Sequence, residues 1–242
     1  MAQLTPAGQG LTLRERKRAR TRQALIDAAA DLFERRGYEQ TTIADIAAAA
    51  EIGTRTFFSY FASKEDLLFP DSDARVQATV EAIAARRPGD RPADVLLRAL
   101  QDVGEADDAM AGRRAALRAR LTRTVPAVRG RGLQAQLDAQ REIARHLVKA
   151  FPGDLDEVSA GALVGAFIGA ITGALQVLLE DPEAGGDPQR LRTQLDKATQ
   201  LALSPWLQSG RGDGPARSDG EHLSSGGTCT RSAAAAPQPA RA

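Results

Sequence analysis

The sequence predicts an all-α protein, with an N-terminal three-helix helix-turn-helix domain and a larger helical domain behind it. Three observations carry the fold class. Apolar residues recur at helical spacing in segment after segment. Helix start and stop signals punctuate them: Thr42 with Asp45, Ser63 with Asp66, Gly37, Pro70 and Pro92. The 242 residues suffice for one or two domains with a substantial core.

In chain order, residues 1–12 show no periodicity and read as a mobile arm. Leu13–Arg22, LRERKRARTR, holds six basic residues and one acid. That run reads as an electrostatic arm gripping phosphates or entering a minor groove, with Arg18 and Arg22 as contacts. It also fits a solvated helix start. The helix that follows carries Leu25, Ala28, Ala29, Leu32 and Phe33 on one face and ends at Gly37.

Residues 41–64 are the centre of the chain. Thr42 and Asp45 form a capping signal, and Ile43, Ile46, Ala47 and Ala50 line one helical face. Glu51-Ile52-Gly53 forms a turn in which Gly53 relaxes the backbone. The second helix, Thr54–Phe61, is polar in front and aromatic behind. Phe57 and Phe61 dock on the first helix, which leaves Thr54, Arg55 and Thr56 exposed at the leading end. A short helix with a polar nose, braced across a turn, can enter a major groove nose-first. Arg55 suits paired hydrogen bonds to guanine, and the threonines suit phosphate oxygens or a thymine methyl. An ordinary α-hairpin inside a helical domain has the same pattern.

The run Phe33-(x)3-Gly37-Tyr38-(x)2-Thr41-Thr42-Ile43-(x)2-Ile46-Ala47-(x)6-Thr54-Arg55-Thr56-Phe57-Phe58-Ser59-Tyr60-Phe61-(x)-Ser63-Lys64-Glu65-Asp66-Leu67-Leu68 resembles the DNA-binding domain of TetR-family regulators. The likeness spans roughly residues 20 to 69 without gaps; beyond it only length and helical character match. The resemblance implies phosphate contacts at Thr42 and Thr56, base reading at Thr54 and Arg55, and backbone clamping at Tyr60 and Lys64. Glu51 stands where the family usually has glycine, and Gly53 where serine or threonine commonly caps. Slight strain is expected at Glu51, while glycine is an acceptable N-cap.

Beyond Lys64, Pro70 breaks or kinks the helix, and Asp71 or Ser72 caps a restart through Val76, Val80 and Ile83. In the resembling family this helix links head to body, which makes Pro70 a candidate hinge. Residues 86–92 form a loop, Pro92 opens a helix to about Val103, and another helix spans roughly Asp107 to Leu121. Between Met110 and Leu137 lie seven arginines and no acid. Such a belt is usually a solvated face; the sharper expectation is an anionic effector, a carboxylate or a phosphate-bearing acyl thioester, held by Arg114 and Arg118. A long helix follows with Leu133, Leu137, Ala144, Leu147, Val148 and Phe151 as its stripe. His146 has no ligand cluster beside it.

Residues 160–179 are the most apolar segment, with Gly161, Gly165, Gly169 and Gly173 every four residues. Twenty such residues just span a bilayer, and small-residue ridges also pair membrane helices. The Ala and Gly content and Gln176 favour instead a fully buried helix at a dimer interface or lining an effector cavity with Phe167. After a loop at 181–187, a last helix from Pro188 to about Leu207 carries Leu191, Leu195, Ala198 and Ala202. As in the resembling family, the last two helices pair with their twins in a homodimer. Residues 209–242 turn to Gly, Ser, Pro and Ala and read as a disordered tail.

The sequence holds no phosphate-binding glycine loop, no nucleophile elbow and no metal-ligand spacing. A catalytic site, a metal and a cofactor are therefore not expected. The single cysteine, Cys229, excludes an internal disulfide and fits a reducing cytoplasm; no secretory signal is expected. The domains expected are an arm at 1–12, the DNA-binding head at 13–69, the effector and dimerisation body at 70–208 and the tail at 209–242. The function expected is a transcriptional repressor on a palindromic operator, released by a small-molecule effector, with no membrane partner. The alternative is a helical DNA-binding regulator without an effector, governed by a protein partner or by occupancy alone.

Overall fold

The computed structural model describes residues 12–106, 112–180 and 187–208. Among these are nine α-helices, one 3-10 turn and no strand. Residues 1–11, 107–111, 181–186 and 209–242 lie outside the described residues, and with them most of the expected arm, the start of the helix expected from Asp107, most of the expected loop at 181–187 and the expected tail.

Helix α1 (Leu13–Arg36) starts earlier than an arm would allow. Thr12 and Glu15 form a capping box, the Thr12 hydroxyl accepting from the Glu15 N–H at 3.2 Å and Glu15 Oε2 accepting from the Thr12 N–H at 2.8 Å. The basic run is thus the first turns of a 24-residue helix. α1 ends at Gly37, whose φ of 87° favours a residue without Cβ. Helices α2 (Ile43–Ala49) and α3 (Thr54–Phe57) follow, then the 3-10 turn Glu65–Leu68. Pro70 stops the helix as expected, and α4 (Ser72–Ala84) restarts behind Asp71. Asp71 makes no side-chain cap bond; the Ser72 hydroxyl donates to the Phe69 carbonyl at 3.1 Å.

The body adds α5 (Pro92–Ala106), α6 (Gly112–Thr124), α7 (Pro126–Ala150), α8 (Glu157–Leu178) and α9 (Pro188–Gln208). α8 packs on α9 and α7, while α4 packs on α5 and α7. Two apolar cores result. The body core gathers Ile83, Leu96, Ile143, Leu147, Phe151, Leu163, Phe167 and Leu203. The head core gathers Leu25, Phe33, Ile46, Phe57, Phe61 and Leu67, and it also takes in Leu117 and Leu121 of α6 with Val125 and Val128. Packing of the head therefore continues into residues far beyond 69.

Two apolar stripes are only partly covered within the single chain. Leu133 and Leu137 are 54% and 52% exposed. In that half of α7 it is Gly132, Ala135, Gln136 and Ala139 that face inward, onto a cavity. α8 is buried along one face only, through Ala160, Leu163, Val164 and Phe167. At each of its four glycines a Cβ would meet nothing within 4 Å. α8 is long and apolar enough to cross a membrane by length and composition, with a mean hydropathy of 1.9 and 22% of its most apolar window buried.

Candidate functional site

The site is built on α2 and α3. Thr42 caps α2: its hydroxyl accepts from the Asp45 N–H at 3.1 Å, and Asp45 Oδ2 accepts from the Thr42 N–H at 2.9 Å. These Thr42 bonds, with the Arg36 guanidinium a minor contributor, hold the Asp45 carboxyl below its ordinary range. Thr42 remains exposed.

The turn bears out the expected strain at Glu51 and the glycine N-cap, but Gly53 needs no special backbone freedom. Gly53 has φ −78° and sits extended as an N-cap. The left-handed residue is Glu51, at φ 56°, the one non-glycine with positive φ among the described residues. The turn itself is closed by backbone bonds from Glu51 N–H to Ala48 O and from Ile52 N–H to Ala47 O.

α3 is short because only Thr54–Phe57 keep regular helical bonding, and the chain then continues through overlapping turns to Phe61. Phe57 is fully buried and Phe61 nearly so, with ring centroids 6.0 Å apart. Their burial leaves Thr54, Arg55 and Thr56 exposed at the leading end. Phe58 is also 57% exposed, an aromatic beside the tip that a two-aromatic docking pattern does not single out.

Beside this tip stands the basic start of α1. The Arg18 guanidinium lies 5.0 Å from the Tyr60 ring centroid and donates to the Ser59 carbonyl at 3.2 Å. Leu13, Arg14, Lys17, Arg18, Thr21 and Tyr60 line one open groove. Arg14 and Lys17 therefore join the face; in the sequence only their basic run marked them.

The other expected contacts are engaged inside the protein. The Lys64 ammonium donates to the Tyr38 carbonyl at 2.9 Å and the Thr41 carbonyl at 3.1 Å, over the Tyr38 ring. Arg22 donates to the Pro70 carbonyl, lies 4.0 Å from Asp71 and stacks 5.2 Å from the Phe61 ring centroid. Nearby, the Tyr38 hydroxyl donates to Glu65. Burial, then the Glu65 carboxylate, raises Tyr38 far above the usual phenol range. Burial pushes Glu65 upward, yet the hydrogen bonds it accepts, led by that from Tyr38, hold it below its ordinary value.

The arginine belt is largely a set of ties between helices. Arg113 reaches Asp31 at 3.1 Å and Glu34 at 2.5 Å, and Arg114 lies 3.8 Å from Asp27, so α6 faces an acidic stripe of α1. Arg123 pairs with Glu180 at 2.6 Å. Arg131 pairs with Asp66 of the 3-10 turn at 2.5 Å. His146 lies 3.1 Å from Glu142 on its own helix.

A cavity of about 250 Å³ opens among α4, α6, α7 and α8. Arg118 and Phe167 line it, together with Phe69, Arg75, Gln136 and Ile171. Arg114 is not part of this lining: α6 turns it toward α1.

With this geometry in view, the chain is similar to known proteins in three ways. The family model described as "Bacterial regulatory proteins, tetR family" matches residues 25–69. The HTH-type transcriptional regulator TcmR of Streptomyces glaucescens is 35% identical over 159 residues, covering 63% of this chain and 69% of that protein. The HTH-type transcriptional regulator HbdR of Aromatoleum sp. (strain CIB) is 44% identical over 48 residues, only 21% of its length. Among solved structures, a TetR-family transcriptional regulator from Syntrophomonas wolfei has a TM-score of 0.50 at 20% identity, over 77% of this chain and 96% of its own. Thermus thermophilus FadR, a TetR-family transcriptional repressor in complex with lauroyl-CoA, has a TM-score of 0.49 at 22% identity, over 83% of this chain and 100% of its own. The likeness to the first of these structures is a likeness of fold.

Proposed function

Because this chain belongs to the tetR family of bacterial regulatory proteins, a family of DNA-binding transcriptional regulators, we propose that it is a cytoplasmic homodimeric repressor released from its operator by a small molecule. It carries out no catalytic step in this reading. The observation that carries the proposal is the exposed tip Thr54-Arg55-Thr56 beside the face of Arg14, Lys17, Arg18 and Tyr60.

Arg55 and Thr54 read base edges, while Thr42, Thr56, Tyr60 and Arg18 hold phosphates. Lys64 and Arg22 serve at one remove: their bonds to backbone carbonyls set the angle at which the tip is presented. One such tip reads few base pairs, and a two-fold pair reads a palindrome in successive major grooves. The outward glycine face of α8 supports pairing through α8 and α9. Glycine in a helix costs about 0.8–1.0 kcal/mol relative to alanine, and close approach of a second α8 offsets that cost.

The effector binds in the cavity among α4, α6, α7 and α8. Walls that are mostly apolar, with Gln136, Arg75 and Arg118 as polar groups among them, suit a largely apolar molecule with a polar end. Its binding favours a spacing of the two heads that no longer matches adjacent grooves.

The test starts with duplex selection from a random pool by the purified protein, followed by fluorescence anisotropy at moderate salt. Arg55→Ala with Tyr60→Ala is expected to abolish preference for the selected duplex over a scrambled one. Undiminished preference refutes the reading.

A further inference from the structure

The cavity and the recognition segment meet at one residue. Phe69 closes the 3-10 turn, packs against the head core and lines the cavity. The outer edge of its ring abuts α7 at Gly132: a Cβ there would stand 3.1 Å from Phe69 Cζ and 3.3 Å from Cε1. One residue earlier, Arg131 holds Asp66 Oδ1 at 2.5 Å. The second carboxylate oxygen, Oδ2, accepts from the Ala62 N–H at 3.1 Å and the Ser63 N–H at 3.0 Å, directly after Phe61. The Phe69 N–H donates to the Asp66 carbonyl at 3.0 Å. Two consecutive residues of α7 thus grip both ends of the turn that follows the recognition helix.

We infer that Phe69 is the positioning residue through which the cavity sets the recognition helix, and that Gly132 provides the space its ring requires. An occupant of the cavity touches Phe69 directly. Displacing the ring moves the 3-10 turn, and with it the Asp66 carboxylate that anchors residues 62 and 63. This path runs through the head's own last turn and needs no movement at Pro70. The inference rests on the proposed function, because it concerns how that site is regulated.

Gly132→Ala imitates an occupant without one being known. A Cβ 3.1 Å from Phe69 Cζ is tighter than an ordinary contact and presses on the edge of the ring. Gly130→Ala is the matched control on the same helix, since a Cβ there meets nothing within 4 Å. Both changes favour helix by the same intrinsic amount. The measurement is anisotropy of the duplex selected by the wild-type protein.

Gly132→Ala is expected to weaken binding at least about fivefold, the lower end of ordinary allosteric coupling, and Gly130→Ala to leave it within about twofold. Phe69→Leu in the Gly132→Ala background shortens the side chain and is expected to restore most of the lost affinity. If Gly132→Ala lowers the melting temperature below that of Gly130→Ala, restoration by Phe69→Leu decides the matter. Equal affinities for the two alanine variants, or a double variant as weak as Gly132→Ala, overturn the inference. A wild-type protein that selects no duplex overturns the proposed function and this inference with it, which separates the two failures.

Discussion

Glu51→Gly is expected to stabilise the protein. Glu51 holds φ 56° in the turn between α2 and α3, a conformation that costs a residue with a Cβ roughly 1–2 kcal/mol. Glycine removes that cost but gives the unfolded chain more freedom, worth about 0.4–1 kcal/mol in the opposite direction. At the midpoints of these ranges the difference leaves a gain of about 0.8 kcal/mol, or roughly 2–3 °C in melting temperature for a chain of this size. The backbone bonds that close the turn involve no Glu51 side-chain atom, so they survive the change. Glu51→Gln is the control, because it removes the charge and keeps the Cβ. Urea unfolding of the three proteins at equal protomer concentration gives the comparison. Glu51→Gln is expected within about 0.5 kcal/mol of wild type. A Glu51→Gly protein no more stable than Glu51→Gln refutes the reasoning, and the strain at this turn with it.

Phe57→Ala empties a fully buried site in the head core and is expected to cost about 3–5 kcal/mol by urea unfolding, with loss of duplex binding. Gly169→Leu meets open space in the single chain, so far-UV circular dichroism should hold while sedimentation shifts toward monomer, operator affinity falls and the concentration dependence of melting is lost. Asp45, Asp90, Asp94, Glu142 and Asp156 all have carboxyls below their ordinary range, each mainly through hydrogen bonds it accepts. They bind protons less readily folded than unfolded, so their stabilisation is full above about pH 4, the unfolded value, and is lost as pH falls through the folded values. Melting temperature should therefore drop steeply below about pH 4, and Asp45→Asn with Asp156→Asn should flatten that drop.

Local signals were legible without coordinates. Thr42 with Asp45 caps α2 as its spacing requires, Gly37 and Pro70 end helices, and Pro92 opens one. The tip Thr54-Arg55-Thr56 is exposed because Phe57 and Phe61 are buried, a division already written in one polar and one aromatic half. Each of these depends on residues three or four apart, within one turn of helix.

In the turn itself, the strain at Glu51 and the glycine N-cap were legible, but a special backbone role for Gly53 was not borne out. Glycine tolerates positive φ but does not demand it, and Gly53 adopts φ −78° while Glu51 takes the left-handed position.

The sequence by itself determined most of the helical stretches and which three residues lead the recognition helix, though it ran that helix on to Phe61 where regular bonding ends at Phe57. Tertiary structure alone decided which helices share a core, which arginines tie helices together and which apolar faces stay open. An amphipathic stripe says that a face avoids water, not what covers it: Leu117 and Leu121 complete the head core, whereas Leu133 and Leu137 stay exposed. Arginine behaves alike, since its long side chain takes whichever carboxylate the fold brings near. Arg113 finds Glu34 and Arg131 finds Asp66 across 79 and 65 residues of chain, a distance over which no local pattern carries information.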